Sequence, residues 1–416
     1  MRKGFLQLTA VAEFEAIIAR CERITATEVV STADAVGRTP AADVISPGDL
    51  PEFPRSTVDG FAVINSDTHG ASESIPLYLD LADDIPVGTK AERPLKSGEA
   101  ARVVTGGMIP EGADAVVMIE HADLVDEETL EVRRAAARLE NLALVGEDVA
   151  RGAAIVPAGR PLGPFDIGAL MGLGILEIEV FKRPAVTVFS TGAEVVEPAQ
   201  TPAPGKVRDI NKYAVAAGVT QAGGVPSLLP TIGDDLDLLT DTIGRSVQNS
   251  DMVILSGGSS VGGMDFTEEA INDSGRPGVL VHGLAVKPGK PTIFGMVGDV
   301  PVIGLPGHPA GALVIFTIFI APLIRRIGGN RNAGPFARSI SAQITRNIAG
   351  SPGKHVYVPA ALEFGAPDRP PRAIPILGKS GAVSILTKSD GIIVIDPMRE
   401  GIEAGTIVEV YLYKTL

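Results

Sequence analysis

The sequence has no tryptophan, few aromatic residues (4%) and a single cysteine, Cys21. One cysteine excludes an intramolecular disulfide and fits a reducing compartment, so the cytoplasm is the expected location. With 45% hydrophobic residues and so few rings, the core must be aliphatic. Positive charge is also scarce: 36 Lys and Arg stand against 50 Asp and Glu, a net charge of −14. Such a surface repels nucleic acid and anionic membranes, and neither is an expected partner. An anionic ligand would need a local basic pocket or a bridging cation. The five histidines, at 69, 121, 282, 308 and 355, show no metal-ligand spacing, so no zinc site is expected. There is no Walker loop and no Gly-x-Ser-x-Gly elbow. The opening MRKGFLQLTAVAEFEAII lacks the long apolar run and small-residue cleavage site of a secretory leader. Val300 to Ile324 is free of Asp, Glu, Lys and Arg, but Leu305-Pro306-Gly307-His308-Pro309 interrupts it. The apolar run after that break is shorter than the roughly 20 residues a membrane span needs. A strand, a turn and a buried helix are expected there.

What is present is punctuation and alternation. The 416 residues suggest about two to four domains, and 48 glycines and 32 prolines imply many tight turns. Residues 7–45 read as helices, with Phe14, Ile17, Ile18 and Cys21 at core-facing helical spacing. Together with 149–179 they form a linking, elongated domain. Residues 46–148 read as a β-rich module, with apolar runs at 77–79, 101–104, 115–119 and 130–132 between Gly and Pro turns. Residues 180–330 alternate strands (186–189, 252–255, 301–303) with helices (212–222, 236–247, and one from about Pro309). That alternation predicts a doubly wound, mostly parallel α/β sheet. Residues 335–416 read as a small C-terminal β domain. The expected fold class is therefore multidomain α/β and β.

In open α/β sheets ligands bind beyond the carboxyl ends of the strands, and the unusual residues sit there. Ser190-Thr191-Gly192-Ala193-Glu194 follows the first strand. The second is followed by a loop of four glycines and three serines, Ser256-Gly257-Gly258-Ser259-Ser260-Val261-Gly262-Gly263-Met264-Asp265, whose backbone N–H groups could approach an anion. Gly304-Leu305-Pro306-Gly307-His308-Pro309 follows the third. Lys287 and Lys290, in Val-Lys-Pro-Gly-Lys-Pro, are held by prolines in a segment unsuited to a helix or central strand, and read as an anion-binding pair or as solvated surface. Glu194, Asp209, Asp234 and Asp265 gather at the same loop ends. Capping of the 236–247 helix by Asp234-Asp235 and an Asx turn at Asp209 explain two of them without function. As a group around an anion, they make sense with a hard cation between them. Asp59-Gly60 and Thr105-Gly106-Gly107 read, each alone, as turns in a hairpin-rich module.

In this order, the segments 51–62, Thr105–Val117, Gly146-Glu147-Asp148, Ser190–Glu194, Asp209-Ile210-Asn211, Ser256–Asp265, Lys287–Pro291, Gly304–Pro309 and, more weakly, Gly378–Gly381 with Ser389–Gly391 resemble the MoeA/gephyrin E-domain family of molybdenum-cofactor biosynthesis. The resemblance covers nearly the whole chain. It implies a MogA-like central α/β domain, a β-rich insertion and an elongated homodimer. The implied reaction takes molybdate and adenylylated molybdopterin, with Mg²⁺, to molybdenum cofactor and AMP. It also implies MogA-type adenylyltransferase and molybdoenzyme-assembly partners. By the same resemblance Asp59 and Thr105 reach across the dimer, and Glu194, Asp234 and Asp265 organise metal and substrate. Ser190, Thr191, Gly192, Asp209, Ser256, Gly257, Gly258, Ser259, Ser260, Gly262, Lys287, Lys290, Pro306, Pro309 and Ser380 hold the substrates.

The sequence departs from the family's pattern in four places. Ala193 stands where Asp is usual, Ala143 and Pro359 where Arg is expected, and His308 where Asn or Tyr is usual. Fewer bidentate anion contacts would follow from the missing arginines. The alternative function is therefore a carrier of molybdopterin or finished cofactor that does not insert metal. An adenylyltransferase would need only the α/β domain, which the β-rich module argues against.

Overall fold

A computed structural model describes residues 8–257, 263–336, 338–366 and 369–413, with the side chains of 263–265 outside that description. Three six-stranded sheets organise the chain.

The central sheet runs Val225–Leu228, Ala185–Ser190, Met252–Ser256, Val300–Leu305, Ile293–Val297, Pro277–His282 in space. The first three contacts are parallel, and Ile293–Val297 is antiparallel to both its neighbours, so it alone is reversed. The fully buried run Met252–Ser256 explains its continuous apolarity, as expected for a strand covered on both faces. The helices Asn211–Gln221, Leu236–Ser246 and Gly263–Ser274 link the strands. Asp235 caps Leu236–Ser246 by accepting from Leu238 N–H at 3.0 Å, which leaves Asp234 free of that duty.

Pro309–Ile327 is one helix of 19 residues with a π-helical stretch at Phe316–Ile320, and 78% of its most apolar window is buried. It is longer than the break in the sequence suggests because it runs on through Arg325 and Arg326. By length and apolarity it could cross a membrane. Here it fills the core, with Phe319 edge-on to Phe14 at a ring separation of 5.3 Å.

Helices across 7–45 were expected, and the structure corrects this. Only Val11–Ile18 is α-helical, followed by the strand Thr27–Ser31, a 3₁₀ turn at Thr32–Asp34 and the short strand Val44–Ile45. Thr27-Glu-Val-Val-Ser31 is β-branched and pairs antiparallel with Glu177–Phe181. Val44–Ile45 pairs with Ala154–Val156, which ties the early segment to 149–179. The helix Val11–Ile18 packs instead into the α/β core, where Phe14 is fully buried against Phe294 and Phe319.

The β-rich module has the order Ala115–Met118, Gly60–Val63, Glu99–Val103, Leu77–Ile85, Thr129–Val132, Ala122–Leu124. The Thr105–Val117 segment is thus no hairpin: Gly60–Val63 lies between the two strands it joins. Nor is Asp59-Gly60 a turn of the hairpin type, because Gly60 opens a strand. A Cβ there would stand 2.0 Å from Val117 O, so glycine is required by close backbone approach.

In the C-terminal domain His355–Glu363, Arg372–Pro375, Ser339–Ile344, Ile407–Leu412 and Gly391–Ile395 close into a ring through the pairing of the first with the last. Val286–Lys287, from the α/β domain, adds parallel to the edge of His355–Glu363.

Candidate active site

The carboxyl ends of the central strands are knitted together by buried polar groups. Thr191 N–H donates to Ser256 O at 2.8 Å, and Gly192 N–H to Ile232 O at 3.0 Å. Ser190 Oγ donates to Asp209 Oδ1 at 2.9 Å. Asp209 is buried and also accepts from Lys212 N–H at 3.1 Å. Its second oxygen lies 3.8 Å from Lys212 Nζ, and that buried ammonium also pairs with Glu197. The Asp209 carboxylate is therefore used by the protein itself, to fix Ser190 and the helix start. Next along, Asn211 Nδ2 donates to Ser256 Oγ at 2.7 Å and to Gly307 O at 2.9 Å, joining three loops at one amide. Its Oδ1 is buried without a partner among the described residues.

Gly257 sits at φ +140, and a Cβ there would lie 1.9 Å from Thr191 O. The glycine loop thus leaves its strand in contact with the Thr191 turn. Gly258, Ser259, Ser260, Val261 and Gly262 lie outside the described residues, as does the side chain of Asp265, whose backbone belongs to the first turn of Gly263–Ser274.

Glu194 and Asp234 are exposed on adjacent turns, brought together by the Thr191–Ile232 bridge. Glu194 folds its carboxylate back over Gly192. Among the described residues there is no group of three acidic, histidine or cysteine side chains poised to hold a metal. The third expected ligand, Asp265, is the one whose side chain is not described.

A cavity of about 590 Å³ opens between the α/β domain and the C-terminal ring. Lys287, Lys290, Pro306 and His308 line one side, and Lys354, Pro359 and Ser380 the other. Among the described residues no Asp or Glu lines it. Ser380 closes the contact between domains: its carbonyl accepts from Ala310 N–H at 3.0 Å, and its Oγ lies 3.2 Å from His308 Nδ1. Pro309 opens the helix, where its missing N–H is no loss. Lys287 is in fact in a strand, but a two-residue edge strand, which the following proline permits.

Asp59 and Thr105 form a separate pair in the β-rich module. Thr105 donates to Asp59 Oδ1 from its N–H at 2.7 Å and from its hydroxyl at 2.8 Å. These bonds, the backbone one first, hold the exposed Asp59 carboxyl below the usual carboxylate range. No hydrogen bond or cavity lining among the described residues joins this pair to the strand-end cluster of the same chain. Ala143 lies opposite Arg55 in the pairing of Leu142–Ala143 with Arg55–Ser56, so a guanidinium is present one strand away.

Three participants escaped sequence reasoning. Asn211 was visible only as part of Asp-Ile-Asn. Lys212 could have been flagged by its three-residue spacing from Asp209 at a helix start. Lys354 carried no local signal.

The chain matches family models along its length: the MoeA N-terminal region (domain I and II) over residues 9–174, a probable molybdopterin binding domain over 187–326, and the MoeA C-terminal region (domain IV) over 341–413. It is 33% identical over 393 residues to a putative molybdopterin biosynthesis protein of Methanocaldococcus jannaschii, covering 92% of each chain. It is 31% identical over 392 residues to a molybdopterin molybdenumtransferase of Bacillus subtilis, covering 93% of this chain and 90% of that one. The solved structure of a molybdopterin biosynthesis MoeA protein from Pyrococcus horikoshii superposes with a TM-score of 0.84 at 28% identity, over 98% of this chain and all of that one. Agreement in all three regions and over the whole fold places the chain in the MoeA family.

Proposed function

We propose that this chain inserts molybdate into adenylylated molybdopterin, giving molybdenum cofactor and AMP. The observation that carries the reading is the interdomain cavity, where lysines and, among the described residues, no carboxylates face each other in a chain of net charge −14. A dianionic oxyanion has reason to collect there.

Each substrate has its own part of the site. Lys287 and Lys290 hold oxyanion charge, and Ser380 and His308 supply hydrogen-bonding groups between the domains. The Thr191 turn and the glycine loop 256–265, which lie beyond the carboxyl ends of their strands, take the pterin and its phosphates. Asp209, Lys212 and Asn211 fix those loops from beneath. The side-chain carboxylates of Glu194 and Asp234 make no hydrogen bond or ion pair among the described residues, and hard oxygen donors of this kind fit Mg²⁺. With Asp265 they would hold the ion, whose chemistry is to neutralise phosphate charge as AMP leaves.

The Asp59–Thr105 pair fits a homodimer in which one subunit's β-rich module completes the other's cleft. Exposed apolar residues on the linking domain support that assembly: Phe165 is 92% exposed, with Leu176 at 63% and Val29 at 62%. The cytoplasm fits the single buried cysteine.

The test is to incubate the purified protein with adenylylated molybdopterin, Mg²⁺ and molybdate, and to follow AMP. Molybdate-dependent AMP release is expected. Tight pterin binding with no release would identify a carrier instead.

A further inference from the structure

The β-rich module 46–148 carries most of the chain's net negative charge: 21 Asp and Glu stand there against eight Lys and Arg. In such a field a guanidinium readily finds a carboxylate, and five of the module's six arginines have one. Arg93 pairs with Glu99 at 2.7 Å, Arg134 with Glu140 at 2.8 Å and Arg133 with Asp123 at 2.5 Å, while Arg102 lies 3.8 Å from Asp84 and Arg138 3.8 Å from Asp114. Arg55 is the sixth. Its half-buried side chain makes no ion pair or hydrogen bond among the described residues. A partly desolvated charge without a partner is unfavourable unless an anion answers it.

The place of Arg55 in the fold accounts for this. Arg55–Ser56 is the middle strand of a small ribbon, with Ala143 opposite Arg55 on one side and Met108 bridged to it on the other. Opposed residues of antiparallel strands share a face, and neither a methyl group nor a thioether can answer the charge. Ser56 turns to the other face, where it is buried with its Oγ donating to Val58 O at 2.5 Å. The ribbon is tied to the Asp59–Thr105 pair. Directly after Thr105, Gly106 N–H donates to Ser56 O at 2.8 Å, and Ser56 N–H donates to Gly107 O at 2.9 Å. Asp59 Oδ1 accepts from Thr105. A fixed carboxylate and an unanswered guanidinium thus stand on one edge of the module.

We infer that Arg55 is a substrate-binding residue: its guanidinium takes a phosphate of the adenylylated pterin at the edge of the β-rich module, beside Asp59 and Thr105. The inference rests on that module bordering the cleft of the proposed reaction. A planar guanidinium matches two oxygens of a phosphate with two parallel bonds, and pairing in the ribbon holds its backbone in place. Arg55 is not among the residues that line the lysine cavity. The two anionic substrates therefore meet different cations, the phosphate ester here and the free oxyanion there.

The experiment measures binding of adenylylated molybdopterin to the full-length protein by equilibrium dialysis, without molybdate, for the parent, Arg55→Ala, Arg55→Lys and Arg102→Ala. Loss of one charge-assisted contact should weaken binding about tenfold or more in Arg55→Ala. Arg55→Lys should recover part of it, because it restores the charge without the fork. Arg102→Ala removes a guanidinium that already faces Asp84 on the same module, and should bind like the parent. Thermal unfolding of both Arg55 variants should match the parent, since the side chain makes no ion pair or hydrogen bond on which the fold depends. Parental affinity in Arg55→Ala, or equal weakening in Arg55→Ala and Arg102→Ala, would overturn the inference, and AMP release by the parent would leave the proposed reaction standing. A parent that neither binds the adenylylated pterin nor releases AMP would overturn both.

Discussion

Gly257 is the position where a single methyl group should do most damage. Its backbone, at φ +140, is one that L side chains rarely adopt. A Cβ would lie 1.9 Å from Thr191 O and 2.6 Å from Thr191 Oγ1. The hydroxyl could rotate away, but the carbonyl shares its peptide plane with Gly192 N–H, which donates to Ile232 O, so it cannot move without disturbing that bond. Backbone strain contributes about 1–3 kcal/mol and forced overpacking a similar amount. Gly257→Ala should therefore destabilise the α/β domain by about 2–6 kcal/mol and lower pterin binding, since both loop ends must part. Gly233→Ala is the control: nothing lies within 4 Å of its Cβ and its φ is ordinary, so a change within about 0.5 kcal/mol is expected. Urea unfolding of both variants, read by a probe in the α/β domain, makes the comparison. If Gly257→Ala unfolds within about 0.5 kcal/mol of the parent, the close approach of the two loops does not exist as described.

Thr105→Ala removes the hydroxyl bond to Asp59 and leaves the stronger backbone one, so the Asp59 pKa should rise part of the way to its ordinary value. Whatever stability its depressed pKa contributes is present above the ordinary carboxylate range and is lost as pH falls through the folded value, so the acid limb of activity should move to higher pH. Carboxyl NMR titration of Asp59 checks this, with Thr105→Ser expected to behave as the parent and an unmoved Thr105→Ala titration counting against it. Asp265→Asn keeps the side chain's shape but removes a charged oxygen, so turnover should fall strongly while circular dichroism is unchanged; near-normal, chelator-insensitive turnover would defeat the magnesium assignment. Mixing inactive Asp59→Asn chains with inactive Asp265→Asn chains should restore activity, because one cleft of each heterodimer carries neither defect; proven heterodimers without activity would rule out a shared cleft.

Much of this was legible because burial writes itself into sequence. Met252–Ser256 is buried on both faces and reads as an uninterrupted apolar run, and Leu236–Ser246 announces itself through Asp234-Asp235. The misreadings have equally physical causes. Thr27–Ser31 was obscured because its partner, Glu177–Phe181, lies far along the chain, and pairing rather than propensity makes it a strand. Gly60 looked like a turn because the sequence cannot reveal that Val117 O occupies the place of its Cβ. At the site, motifs with local punctuation could be found: Lys287-Pro-Gly-Lys290, the glycine loop, and Asp209. What could not be found were functions created by distance. Asp209 read as an Asx turn or as one carboxylate of a cation site, and only the fold shows it enclosed between Ser190 and Lys212.

The same logic explains how an acidic protein can gather an anion. A basic pocket built within one domain would need several lysines on neighbouring turns, where mutual repulsion opposes folding. Here the cost is divided. The α/β domain supplies Lys287 and Lys290 on a proline-stiffened loop, and the ring supplies Lys354 from its own turn. The two sets of charge meet where Val286–Lys287 joins the edge of His355–Glu363. An anion that neutralises them then also strengthens the contact between the domains. Because linkage is reciprocal, ligand binding and docking of the C-terminal ring must favour each other.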